Sequence, residues 1–85
     1  MTEQEGQVEE LIVTFRRGVS EDIARAAVKG AGGTVRRRMR TDYPNEVQLL
    51  VRAQPGGLQA LETKMKSLPS VVTTEVNQGG FGVRD

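Results

Sequence analysis

Eighty-five residues leave room for one domain with one modest core, since a chain of this size buries only about 60–70% of the surface it exposes when unfolded. Cysteine and histidine are both absent, which removes disulfides, thiolate and imidazole metal ligands, and the Ser-His and Cys-His nucleophile pairs. Twelve Lys and Arg against eleven Asp and Glu give a net charge of +1, which demands no polyanionic partner.

The first nine residues, Met1 to Glu9, are polar and acid-rich and read as a disordered leader. Leu11 to Phe15 is a β-branched and aromatic run, with Leu11, Val13 and Phe15 on one face and Ile12 and Thr14 on the other, and predicts strand one. Arg16, Arg17 and Gly18 turn the chain. Ser20 then caps a first helix whose opening turn carries Glu21 and Asp22 at the positive end of the dipole. Ile23, Ala26, Ala27 and Gly30 recur at helical spacing and predict a narrow stripe of mostly small residues against the sheet, ended by Gly32 and Gly33.

Thr34 to Arg40 predicts strand two, with Val35, Arg37 and Met39 on one face and Thr34, Arg36, Arg38 and Arg40 on a basic one. Tyr43, Pro44 and Asn45 are turn residues. Glu46 to Ala53 resumes as strand three, with Val47, Leu49, Val51 and Ala53 on one face and Leu50 pointing the other way. Gln54 to Gly57 breaks the chain. Leu58, Leu61, Met65 and Leu68 then give the clearest helical period in the sequence, and this stripe is expected to pack on Val13, Val35, Leu49 and Val51. Pro69 stops helix two, and Val71 to Val76 suits strand four.

The order strand, helix, strand, strand, helix, strand predicts an α+β fold of the ferredoxin-like, split β-α-β-β-α-β kind. It is a four-stranded antiparallel sheet with two helices on one face and the other face open. Residues 10–77 form that domain, and 78–85 are a C-terminal tail. The paired glycines match neither dinucleotide-binding nor P-loop spacing, and no motif sets a carboxylate or lysine beside a nucleophile, so a binder rather than an enzyme is expected. No cofactor or metal is implied. Neither a membrane span nor a signal peptide is visible, which reads as an intracellular chain or an already processed one.

Leu11 to Phe15, then Gly18 to Ile23, then Ala31 to Val35, resemble the first half of the subtilisin-propeptide-like inhibitors, which comprise subtilase propeptides and free-standing fungal relatives. Leu58, Leu61, Met65, Pro69, Ser70, Val71 and Glu75 continue that resemblance in a helix, proline, strand register, so it spans about Leu11 to Asn77. Helix one is about a turn shorter than is usual in the family, and Gln48 and Leu49 stand in place of a Gly-Phe pair.

The resemblance implies a partner, a subtilisin-type serine protease, and a mechanism of rigid docking with substrate mimicry. In the family the open sheet face packs on paired protease helices, and acids after strand four cap their N-termini. Glu75 matches one such carboxylate, and Asn77, still a good cap acceptor, stands where the other acid usually lies. The tail then lies in the cleft. In the family register Val83 fills the primary specificity pocket with Gly80 deeper in the cleft, whereas a shifted register seats Phe81 there; both remain open. A monomer is expected when free.

A competing reading takes Arg36, Arg38 and Arg40 as an anion-binding surface for nucleic acid. Base stacking on such a sheet needs exposed aromatics on its central strands, and this chain has none at those places. The arginines are better read as a solvated edge strand whose charge discourages edge-to-edge pairing. A third reading keeps the fold as a protein-interaction domain without inhibition.

Overall fold

The computed structural model describes residues 9–77. It contains β1 (Glu10–Phe15), α1 (Glu21–Gly30), β2 (Thr34–Met39), β3 (Gln48–Arg52), α2 (Leu58–Lys66) and β4 (Val71–Asn77). The strands lie in the order β2-β3-β1-β4 and every neighbouring pair is antiparallel, as the ferredoxin-like pattern requires. β2 and β4 are therefore the edges, and β1 and β3 the centre.

Alternation along the central strands sends Leu11, Val13 and Phe15 of β1, and Leu49 and Val51 of β3, to one face, where all five are fully buried. Ala24 and Val28 of α1 and Leu61 and Met65 of α2 meet them in one core with Val47, Ala53 and Val71. Leu58 and Leu68 complete the α2 stripe at its half-buried ends. The spacing of that stripe is what brings a nine-residue helix down on the sheet, because i, i+3 and i+7 share one side of it.

The α1 stripe differs from the one the sequence predicts. Ala24 and Val28 are buried with Ala27 and Ala31 packed beside them, while Ile23 is 59% exposed and Ala26 and Gly30 face water. The two frames are one residue apart, and each offers alanines with one branched residue, Ile23 or Val28; the helix packs in the frame that buries Val28. The cap is as expected, with Ser20 Oγ accepting from the Ile23 N–H at 3.2 Å.

The paired glycines after α1 have separate causes. Gly32 adopts φ +94°, the left-handed conformation that closes a helix, and the Gly33 N–H bonds Val28 O at 3.0 Å. Gly33 is there for space. A Cβ on it would stand 2.7 Å from Val51 Cγ1, 3.2 Å from Val28 Cγ1 and 3.3 Å from Leu61 Cδ1, all on branched buried side chains. Gly33→Ala is expected to cost about 1–3 kcal/mol through overpacking, read as a shift in the urea midpoint. A neutral result would mean that the core beneath β2 is loose.

Two bulges rephase the edges. Between Val35 and Arg37 the register against β3 slips by one, so Arg36 is an extra residue, and between Thr14 and Phe15 the slip against β4 leaves Val72 extra and 53% exposed. Loops are tied across the sheet ends: the Phe15 N–H donates to Val47 O at 2.9 Å, the Arg16 N–H to Ser70 O at 2.8 Å and the Gly18 N–H to Asn45 O at 3.1 Å. Arg17 stacks over the Tyr43 ring at 3.8 Å. Glu9, counted with the leader on composition, belongs to this framework. Its carbonyl accepts from the Ala53 N–H at 2.9 Å and its carboxylate from the Gly56 N–H at 3.0 Å, at the turn into α2. No helix among the described residues is long and apolar enough to cross a membrane.

Candidate functional site

Both helices lie on one side of the sheet, and its other side carries the residues that could meet a partner. The strand registers arrange them in three rows running from β2 to β4. The first row is Thr34, Arg52, Glu10 and Asn77; the second is Arg37, Leu50, Ile12 and Glu75; the third is Met39, Gln48, Thr14 and Thr73. Apolar side chains occupy the centre. Leu50 is 9% exposed although it lies outside the helix-side core, and Ile12 beside it is half-buried. Positive charge collects toward β2 and negative charge toward β4.

Glu10 is the polar anchor of this face. Its carboxylate accepts from Arg36 Nη1 at 3.0 Å and from Asn77 Nδ2 at 3.1 Å, so one side chain on β1 ties both edge strands to the centre. At 9% exposure an unpaired carboxylate would be costly, and the two donors satisfy it. A further bond, from Gln48 Nε2 to Thr14 Oγ1 at 2.9 Å, links the central strands in the third row. Nothing in the sequence singles out Glu10, because it stands at a strand start and its partners lie 26 and 67 residues away. Its phase with Ile12 and Thr14 gives only the face it is on.

The basic strand divides. The bulge at Arg36 means that Arg36 and Arg38 do not share a face as strict alternation predicts. Arg36 reaches Glu10 on the open side, whereas Arg38 turns toward the helices and bonds Glu21 Oε1 at 3.2 Å and Glu46 O at 3.3 Å. Arg40 follows β2 and is exposed. Two of the three candidate anion ligands thus neutralise carboxylates of their own chain.

Glu21 sits between Arg25, whose Nε is 2.8 Å from Oε2, and Arg38. The Arg25 hydrogen bond, with the charges of both arginines behind it, holds the Glu21 carboxyl below its ordinary value. Because the folded pKa is depressed, the stability it contributes is present above the unfolded carboxylate range and is lost as pH falls through the folded value. Native stability should therefore decline on acidification through the carboxylate range, and Glu21→Gln should flatten part of that decline in urea midpoints taken across it. The effect is small because the site is screened by water. An unchanged slope in the variant would remove Glu21 from the acid response.

Glu75 is exposed in the second row at the β4 edge, and Asn77 ends β4 in the first row. These two positions, chosen from the sequence, lie on the open face and on one edge of it. Gly80, Phe81 and Val83 lie outside the described residues. Among the described residues no cluster of three or more acidic side chains is placed to hold a metal ion. No family model matches the chain, and neither the curated proteins nor the solved structures contain a significant match to it.

Proposed function

We propose that this domain binds a subtilisin-type serine protease and inhibits it, docking by the open sheet face and laying the chain beyond Asn77 in the cleft. The observation that carries the reading is the position of Glu75 and Asn77 on the open-face side of the edge strand that leads directly into the C-terminal residues. One edge thereby joins a docking surface to the segment that would mimic a substrate. Glu75 is in no ion pair among the described residues, so its charge is available to the N-terminus of a partner helix. Asn77 donates through its amide nitrogen to Glu10, which fixes the side chain and leaves Oδ1 to accept. Ile12 and Leu50 supply the apolar centre that such an interface needs. The function is recognition, without a reaction of the domain's own.

The test is titration of the full chain into a subtilisin-type protease at concentrations near that of the enzyme, with hydrolysis of a small peptide substrate as the readout. Loss of activity that ends near one equivalent is expected. Full activity at about tenfold excess would overturn inhibition and leave a non-inhibitory interaction domain, which the same face would serve. The ion pairs of Arg36 and Arg38 weigh against nucleic acid as the partner, as does the lack of any aromatic side chain among the open-face residues of β1 and β3.

A further inference from the structure

The open face is complementary to itself in one orientation. Let a second copy lie face to face with the first, related by a two-fold axis that runs parallel to the strands between β1 and β3. β2 then lies over the partner's β4, β3 lies over its β1, and each row lies over its own counterpart read in reverse. In the second row Arg37 meets Glu75 across the axis, Leu50 meets Ile12, and the other half repeats both contacts. In the first row Arg52 faces Glu10, and the third row carries no charge at all. Every charged position in the three rows falls opposite its complement or opposite a neutral side chain. Turning the axis by a right angle instead sets Arg37 over Arg37 and Glu75 over Glu75, which is repulsive.

From this we propose that the domain self-associates as a face-to-face dimer about the strand-parallel axis, with Arg37 and Glu75 of opposite copies as its two outer ion pairs and Ile12 and Leu50 as its centre. Isologous two-fold contacts need just this kind of self-complementary patch. Two sheets packed face to face with nearly aligned strands are a standard arrangement. The two outer residues are free to act: Arg37 and Glu75 are both exposed, and neither is in an ion pair among the described residues. Ile12 is half-buried and Leu50 only 9% exposed, so the centre adds a little apolar area to the two ion pairs, in keeping with a weak association.

Size decides how tight the dimer is. Four strands about 4.8 Å apart and five to seven residues long at about 3.3 Å per residue give a face of roughly 300–450 Å² per copy. Twice that area falls short of the roughly 1,200 Å² at which specific stable interfaces begin, so the dimer belongs to the weak, concentration-dependent class. A dilute chain is then a monomer, and association emerges at high concentration. Because the outer contacts are exposed ion pairs, salt should weaken it. The inference does not depend on the protease reading, although a dimer of this kind would cover the same face.

Sedimentation velocity of the full chain between about 10 µM and 1 mM at low salt tests it, with charge-reversed variants at the two outer positions. The native chain should shift from monomer to dimer across that range. Arg37→Glu alone and Glu75→Arg alone should each weaken self-association at least about tenfold, because each sets like charges opposite one another at both ends of the interface. Mixed together, the two variants should associate again as a heterodimer, since each reversed charge now faces its opposite. Far-ultraviolet circular dichroism and thermal unfolding check that both exposed substitutions leave the fold in place. A native chain that stays monomeric at 1 mM overturns the proposal. So does a dimer indifferent to both single reversals, which would lie on another surface, and so does a mixture of the variants that fails to associate.

Discussion

Phe15→Ala should lower the unfolding free energy by about 3–5 kcal/mol, the range for truncating a fully buried aromatic ring. Phe15 is among the largest wholly buried side chains, at the end of β1 where its N–H bonds Val47 O and its register partner across the sheet is Val71. Four segments meet there. β1, the start of β4, the strand-three approach and the helix layer all lose packing to one cavity, and the surrounding backbone is held by cross-sheet bonds that limit its collapse. A domain of this size has a total stability of only about 5–10 kcal/mol, so the variant should be substantially unfolded at modest urea or temperature. Urea denaturation followed by circular dichroism measures the change, with a constant slope showing that two-state unfolding persists. Ile23→Ala is the contrast. At 59% exposure it should move stability by no more than about 0.5 kcal/mol, although Ile23 is as hydrophobic as the residues of the core. If the two losses came out equal, the α1 frame described above would be wrong.

That contrast shows where the sequence was legible. The element order, the edge and centre strands and the α2 face followed from long apolar runs and from leucines at repeated helical spacing, signals that alternative phases would destroy. In α1 the signal was degenerate. Alanines occupy both candidate frames, and Ile23 drew the assignment toward itself because a large hydrophobic residue weighs more in a pattern than the Val28 that decides the packing. The basic strand misled for another reason. Alternation assumes one residue per pleat, and the extra residue at Arg36 reverses the phase of everything after it, so that Arg38 reaches a helix carboxylate instead of the open face. A bulge is an agreement between two strands and leaves no mark in one of them. The Glu10 cluster has the same character, since its ligands converge only after the sheet has formed. Glu75 and Asn77 are singled out by the family resemblance and not by spacing; they share the open face because β4 between Thr73 and Asn77 keeps a regular register with β1.

The second large effect concerns inhibition, and it separates the folded frame from the segment beyond it. Removing Gln78 to Asp85 should leave the unfolding transition nearly unchanged, because every core side chain and each cross-sheet bond described above lies between Glu9 and Asn77. Binding to a subtilisin-type protease should fall by at least about 100-fold, which corresponds to about 3 kcal/mol, if the removed residues hold the cleft contacts. The two pocket candidates can then be told apart in the full chain. Phe81 and Val83 lie outside the described residues; with circular dichroism checking that each variant stays folded, the alanine substitution at whichever residue fills the primary pocket should lose at least about 2 kcal/mol of binding while the other loses much less. Phe81 as the larger loss would identify the shifted register and a pocket that accepts an aromatic ring; Val83 would identify the register with Gly80 deeper in the cleft. Glu75→Ala offers the complementary measurement on the face itself: if this exposed carboxylate caps a protease helix as proposed, its loss should weaken binding by about 0.5–2 kcal/mol without touching the cleft contacts. A truncated chain that inhibits as strongly as the full one would place the inhibitory contacts on the open face alone and end the substrate-mimicry mechanism for this domain.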